Sequence, residues 1–153
     1  MSEVTFRAAT ADDLPAIVAL LDDDDLSKGR EDPSLPLADC YRAGFDAIAA
    51  TPNNEFIVTE LDGAVVGTMQ LSYLPGIAFR GGWRGQIEAV RVASHLRGSG
   101  IGAQMIDWAV ERCRARGCFM VQLFSQNDRP AAHRFYERLG WKRSHYGFKR
   151  TLG

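Results

Sequence analysis

The chain lacks an excess of charge of either sign: 18 Lys and Arg against 19 Asp and Glu leave a formal net charge of −1. A nucleic-acid footprint needs many phosphate-neutralising cations on one face, so no nucleic-acid partner is expected. No apolar run reaches the roughly 18 residues of a membrane span, and Met1 to Thr10 lacks the basic-then-apolar order of a secretion signal. No membrane partner is expected, and the expected location is cytoplasmic. Cysteine is scarce, and Cys40, Cys113 and Cys118 form an odd set without paired ligand spacing. That argues against a disulfide framework and a zinc site. Asp22 to Asp25 are four consecutive carboxylates, but the calcium-loop spacing with its central Gly and terminal Glu is absent, so no metal is expected. Also missing are the Gly-Lys-Ser/Thr of nucleoside-triphosphate loops and the Gly-x-Gly-x-x-Gly of dinucleotide folds.

What is present centres on the stretch from Arg84 to Gly102. Ile87, Val90 and Val92 are strand formers, and Gly98, Gly100 and Gly102 then precede a helical pattern. Glycines so spaced leave backbone N–H groups uncovered at a helix N-terminus, where partial positive charge can hold a phosphate. Arg97 adds a full charge. The same glycines would also serve a plain tight turn.

At 153 residues, with 46% of them hydrophobic, the chain suits one well-buried core, read as a single domain over 1–153. Val4 to Ala8 reads as a first strand, and Thr10 with Asp13 as an N-cap and its acidic partner. Leu14, Ile17, Val18 and Leu21 recur at helical spacing, with Pro15 early enough to cost no hydrogen bond. The acidic loop from Asp22 to Asp32 is read either as solvated surface or as a source of negative potential favouring a cationic amine. A second helix is predicted over Leu37 to Ala50. Glu55 to Glu60 and Ala64 to Leu74 are predicted strands, joined at Asp62-Gly63, a strong hairpin signal. Beyond Gly102 a helix runs to about Arg116 and ends at Gly117. Phe119 to Phe124 reads as a strand buried on both faces, and His145 to Lys149 as a turn into a last strand that closes the sheet.

Two motifs carry a resemblance. Arg97-x-x-Gly100-x-Gly102, after the strand Ile-Glu-Ala-Val-Arg-Val, closely resembles the acyl-CoA pyrophosphate site of the GNAT superfamily of N-acyltransferases. Ala132-x-x-Phe135-Tyr136-x-x-Leu139-Gly140-Trp141, on a helix entered at Pro130, resembles that superfamily's second motif at each defining position. The resemblance implies an α/β (α+β) fold with a mixed, mostly antiparallel sheet of six to seven strands flanked by about four helices. It also implies acetyl transfer from acetyl-CoA to a primary amine, without a covalent intermediate. The acceptor is a small molecule or a protein amino group. A CoA-binding sensor or carrier without acceptor chemistry is the alternative, and a homodimer is common among similar proteins.

The resemblance distributes roles residue by residue. Val90, Arg91 and Val92 are expected along the pantetheine arm, Val90 and Val92 through backbone groups. Arg97, Gly98, Ser99, Gly100, Ile101 and Gly102 are expected around the pyrophosphate. Where the family often has Asn seven residues before the tyrosine, this chain has Arg129, and Asn127 lies two residues earlier, so both are candidates for the cofactor contact. Glu88 is the candidate to orient or deprotonate the amine, on a strand where regular alternation gives it the face of Val90 and Val92. Arg84 and Gln86 lie on that face too, so pairing with a neighbour is the competing role. Tyr136 is the candidate acid for the departing thiolate, or else a core tyrosine with a satisfied hydroxyl.

Overall fold

The computed structural model describes residues 3–153. They fall into two compact units, one ending at Gln122 and one spanning Leu123–Gly153. The elements in chain order are β1 (Thr5–Ala8), α1 (Leu14–Asp22), α2 (Asp39–Ala49), β2 (Asn54–Leu61), β3 (Ala64–Leu74), α3 (Ala78–Gly81), β4 (Trp83–Val92), α4 (Ile101–Ala115), β5 (Cys118–Leu123) and α5 (Pro130–Arg138). Short 3-10 turns at Ala11–Asp13 and Ser94–Leu96 lead into α1 and follow β4.

Local chemistry accounts for most of these boundaries. The Asp13 carboxylate accepts the Thr10 backbone N–H at 2.7 Å, closing the acidic half of the expected cap. Arg7 of β1 grips the same carboxylate and also pairs with Glu60 of β2. Asp62 and Gly63 take left-handed φ of 52° and 78°, the conformation that a two-residue hairpin requires. Gly117 at φ 85° ends α4, as its sequence position predicts.

The sheet runs in the order β1-β2-β3-β4-β5, with the first three pairings antiparallel. Opposite residues share a face, so the register fixes what each face carries. Gly67, Met69, Leu71 and Tyr73 of β3 lie on the face that packs against α4. A Cβ on Gly67 would sit 2.9 Å from Met105 Sδ, and one on Gly85 would sit 2.4 Å from Cys113 Sγ. These two glycines let the helix approach the sheet directly. Arg112 of α4 pairs with Glu55 of β2, which also accepts the Tyr73 hydroxyl at 2.6 Å. Leu20 of α1 joins Val66 and Ala93 in a separate apolar cluster, which places α1 with the other face.

Three expectations need correction. Among the described residues the sheet has five strands, not six to seven, because no strand follows Leu123: the expected closing strand has no backbone ladder, and Tyr146 and Phe148 stand 88% and 94% exposed. Among the described residues helices number five rather than about four. The extra one is the turn Ala78–Gly81, where Phe79 and Arg80 adopt left-handed backbone. β5 is not buried on both faces, since Phe119 and Met120, successive residues that point to opposite faces, are 51% and 37% exposed.

Gly85→Ala should lower stability by about 1–3 kcal/mol through overpacking, and Cys113→Ala in the same chain should restore most of it; denaturant titration of the three variants checks this. Arg7 holds the Asp13 carboxyl below its ordinary 3.8, at about 2. A depressed carboxylate stabilises the fold above its unfolded value and loses that contribution as pH falls through the folded one. Acid unfolding of wild type should therefore steepen between about pH 4 and 2, and Asp13→Asn should be less stable at neutral pH with a flatter profile there.

Candidate active site

β4 is interrupted at the point where the site begins. Gln70 opposes Glu88 and Leu71 opposes Ile87, whereas Thr68 opposes Arg91 and Gly67 opposes Val92. Met69 alone therefore faces two residues, Ala89 and Val90, which is a β-bulge. Ala89 takes φ 53°, a left-handed conformation that costs a residue with a Cβ about 1 kcal/mol. The buried Thr68 hydroxyl donates to the Ala89 carbonyl at 2.9 Å and fixes the distorted peptide in place.

The bulge changes the expected alternation. Thr68 and Gln70 share a face two residues apart, so their partners Arg91 and Glu88 share it too, while Val92 falls with Ile87 on the α4 side. The regular pattern that put Glu88 on one face with Val92 is thus wrong by one residue. No sequence signal marks the extra residue, because Ala89 is not a glycine.

After β4 the chain turns through Ser94–Leu96 into the glycine loop. Gly98 and Gly100 have φ of 81° and 88°, and Gly100 caps α4. Nothing lies within 4 Å of where a Cβ on either would sit, so the space over the loop is open. The first turn of α4 gives the N–H groups of Ile101, Gly102 and Ala103 no intrahelical acceptor. This open, donor-rich cradle fits a pyrophosphate. The Ser99 hydroxyl turns inward to the Leu96 carbonyl. Arg97, exposed beside the loop, donates from Nη2 to the Asp23 carbonyl at 2.6 Å. The Arg91 side chain reaches Asp24, with Nη2 to Oδ2 at 3.4 Å, and donates to the Val90 carbonyl.

Glu88 is exposed and is held by the side chain of Gln86, whose amide donates to Oε1. Gln122 of β5 donates to Gln86 Oε1 at 2.9 Å, and Arg84 donates to Gln122 at 3.4 Å. A polar chain across two strands therefore orients the carboxylate. Gln122 was not legible as part of it, because its partner lies 36 residues away. Cys113 and Cys118 are poor nucleophiles: burial pushes Cys113 up to about 12 and raises Cys118 as well.

The second unit holds the remaining candidates. Arg129 sits at the N-cap of α5 and donates from Nε to the Gln126 side chain at 3.2 Å. Asn127 is exposed in the turn before it. His133 is occupied by the Gln126 carbonyl at 2.8 Å, in keeping with a structural role. Tyr136 is half-buried, with its ring edge against Phe135 and Trp141 at 5.0 and 5.9 Å between centroids.

Comparison with known proteins gives this arrangement its class. The family model described as Acetyltransferase (GNAT) family matches residues 16–141, which span parts of both units. The chain is 33% identical over 146 residues to the aminoalkylphosphonate N-acetyltransferase of Salmonella typhimurium, covering 95% of this chain and 90% of that one. Among solved structures, a protein of Bacillus halodurans C-125 described as a transcriptional regulator matches at TM-score 0.94 and 43% identity, over 98% of this chain and 100% of that one. A Trypanosoma brucei acetyltransferase matches at TM-score 0.77 and 26% identity, over 98% and 100%. The chain belongs to the GNAT acetyltransferase family. It is an acetyl-CoA-dependent N-acetyltransferase.

Thr68→Val removes the hydroxyl that holds the bulge while keeping side-chain volume. It should destabilise the protein by about 1–2 kcal/mol and lower turnover, read from a melting curve and a thiol-release assay on one preparation.

Proposed function

We propose that the protein transfers the acetyl group of acetyl-CoA to a primary amine by direct attack, working as one catalytic domain over 1–153. The observation that carries this reading is the open glycine cradle at the α4 N-terminus, which follows directly from a bulged strand bearing Glu88. Backbone N–H groups of the loop Arg97 to Gly102 and the Arg97 guanidinium hold the pyrophosphate, while backbone groups of Val90 and Val92 pair with the pantetheine amides. Arg129 or Asn127 adds a further contact. Holding both reactants together makes a bimolecular attack effectively unimolecular, which is the main source of rate.

In the transfer, the bond from amine nitrogen to acetyl carbon forms as the carbon–sulfur bond breaks. Glu88, oriented by Gln86, receives the amine proton directly or through a water. Tyr136 gives its proton to the departing thiolate. No cysteine is needed, in keeping with the raised Cys113 and Cys118.

For the acceptor we favour a short amine that carries an anionic phosphonate group. The support is the 33% identity to a relative named for aminoalkylphosphonates. The earlier hint of a cationic acceptor weakens, because Asp24 of the acidic stretch is matched by Arg91.

Thiol release from acetyl-CoA with 2-aminoethylphosphonate should exceed that with a polyamine, an aminoglycoside or a lysine peptide. Tight CoA binding with only slow hydrolysis across the panel would instead indicate the sensor alternative. Glu88→Gln should lower kcat/KM by about a hundredfold. Tyr136→Phe should lower kcat at least about tenfold with little change in KM for either substrate.

A further inference from the structure

Two ties join the start of the α1–α2 connection to β4 and to the loop that follows it, and both run through arginines. Asp23 is the C-cap residue that follows α1, and its carbonyl lies at the helix C-terminus, where partial negative charge gathers. Arg97 donates to that carbonyl at 2.6 Å across 74 residues of sequence. One residue on, the Asp24 carboxylate is a local hub. It accepts the Leu26 N–H at 3.2 Å and the buried Ser27 hydroxyl at 3.1 Å, and meets Arg91 at 3.4 Å. The Asp24 and Arg91 side chains are only 12% and 17% exposed, whereas Arg97 is exposed. A half-buried pair thus anchors the segment that supplies the carbonyl holding an exposed cation.

From this we infer that Asp24 is a positioning residue for cofactor binding: through its pair with Arg91 it seats the Asp23 carbonyl, which aims Arg97 at the pyrophosphate cradle. This rests on assigning the Arg97–Gly102 loop to the pyrophosphate. A long exposed arginine samples many rotamers, and fixing one before binding removes an ordering cost from affinity. A guanidinium has five N–H donors, so one given to Asp23 leaves others for phosphate oxygens. The expected effect of losing Asp24 has a sign opposite to that of simple electrostatics. Removing a negative charge beside an anion site should tighten anion binding if charge alone mattered. Loss of positioning loosens it.

Calorimetric binding of CoA and steady-state kinetics test the inference in wild type, Asp24→Asn, Arg97→Ala and the double variant. Asp24→Asn keeps an acceptor for the local hydrogen bonds and loses the ion pair. It should weaken CoA binding about fivefold and raise KM for acetyl-CoA to match, with kcat within about twofold. In the Arg97→Ala background it should have no further effect, because the residue it positions is gone. Ser27→Ala, which loosens the Asp24 carboxylate while keeping its charge, should show a smaller change of the same sign and serves if Asp24→Asn does not fold. Tighter or unchanged CoA binding in Asp24→Asn, or effects that add to those of Arg97→Ala, would overturn the inference. Failure of the underlying assignment looks different: Arg97→Ala alone would then leave CoA affinity at the wild-type value.

Discussion

One hydrogen bond holds the distortion from which the site follows: the Thr68 hydroxyl to the Ala89 carbonyl, across the β3–β4 pairing. Ala89 occupies a backbone region that its Cβ disfavours, and the extra residue breaks the alternation of β4. The bulge brings Glu88 and Arg91 to one face, which an unbulged strand would divide between two. Arg91 can then face Asp24 at the end of α1, while Val92 turns to the α4 side. A local strain of about 1 kcal/mol thus decides which chemistry each face of the strand presents.

Around the glycine loop, opposite ends of two helices set the field. The N-terminus of α4 offers donors to an anion, and the C-terminus of α1 offers an acceptor carbonyl to Arg97. The arginine, next to the open loop in sequence, is held by that carbonyl. Placing the acidic stretch beside this cation gives part of it an internal use, which its composition alone did not reveal.

Residues that act through short-range backbone geometry were legible in the sequence. Asp62-Gly63, Gly117, Pro130 and the glycines at 98 and 100 each fill a role that few other residues can, and the elements they bound are where their spacing puts them. The family was legible for the same reason, since both motifs are local. Side-chain partnerships over long separations were not. Gln122 with Gln86 and Arg97 with Asp23 depend on strand order and helix packing, which no window of sequence contains. The bulge was hidden because an alanine fills a position that usually calls attention to itself as glycine. The 145–149 segment shows the converse, a strand-like alternation without a ladder to join.

The bare glycines beneath α4 give the helix the character of a lever. Its contact at Gly85 with Cys113 lies near the C-terminal end, about 18 Å along the axis from Ile101. A tilt of roughly 5° about that contact would carry the N-terminal end by about 1.5 Å, more than half the length of a hydrogen bond. Repacking at Cys113, or a lost grip between Arg112 and Glu55, would therefore be felt at the far end of the helix as misaimed N–H groups. The second close contact, Met105 over Gly67 near that far end, resists such a tilt, so packing at two points keeps the helix aimed.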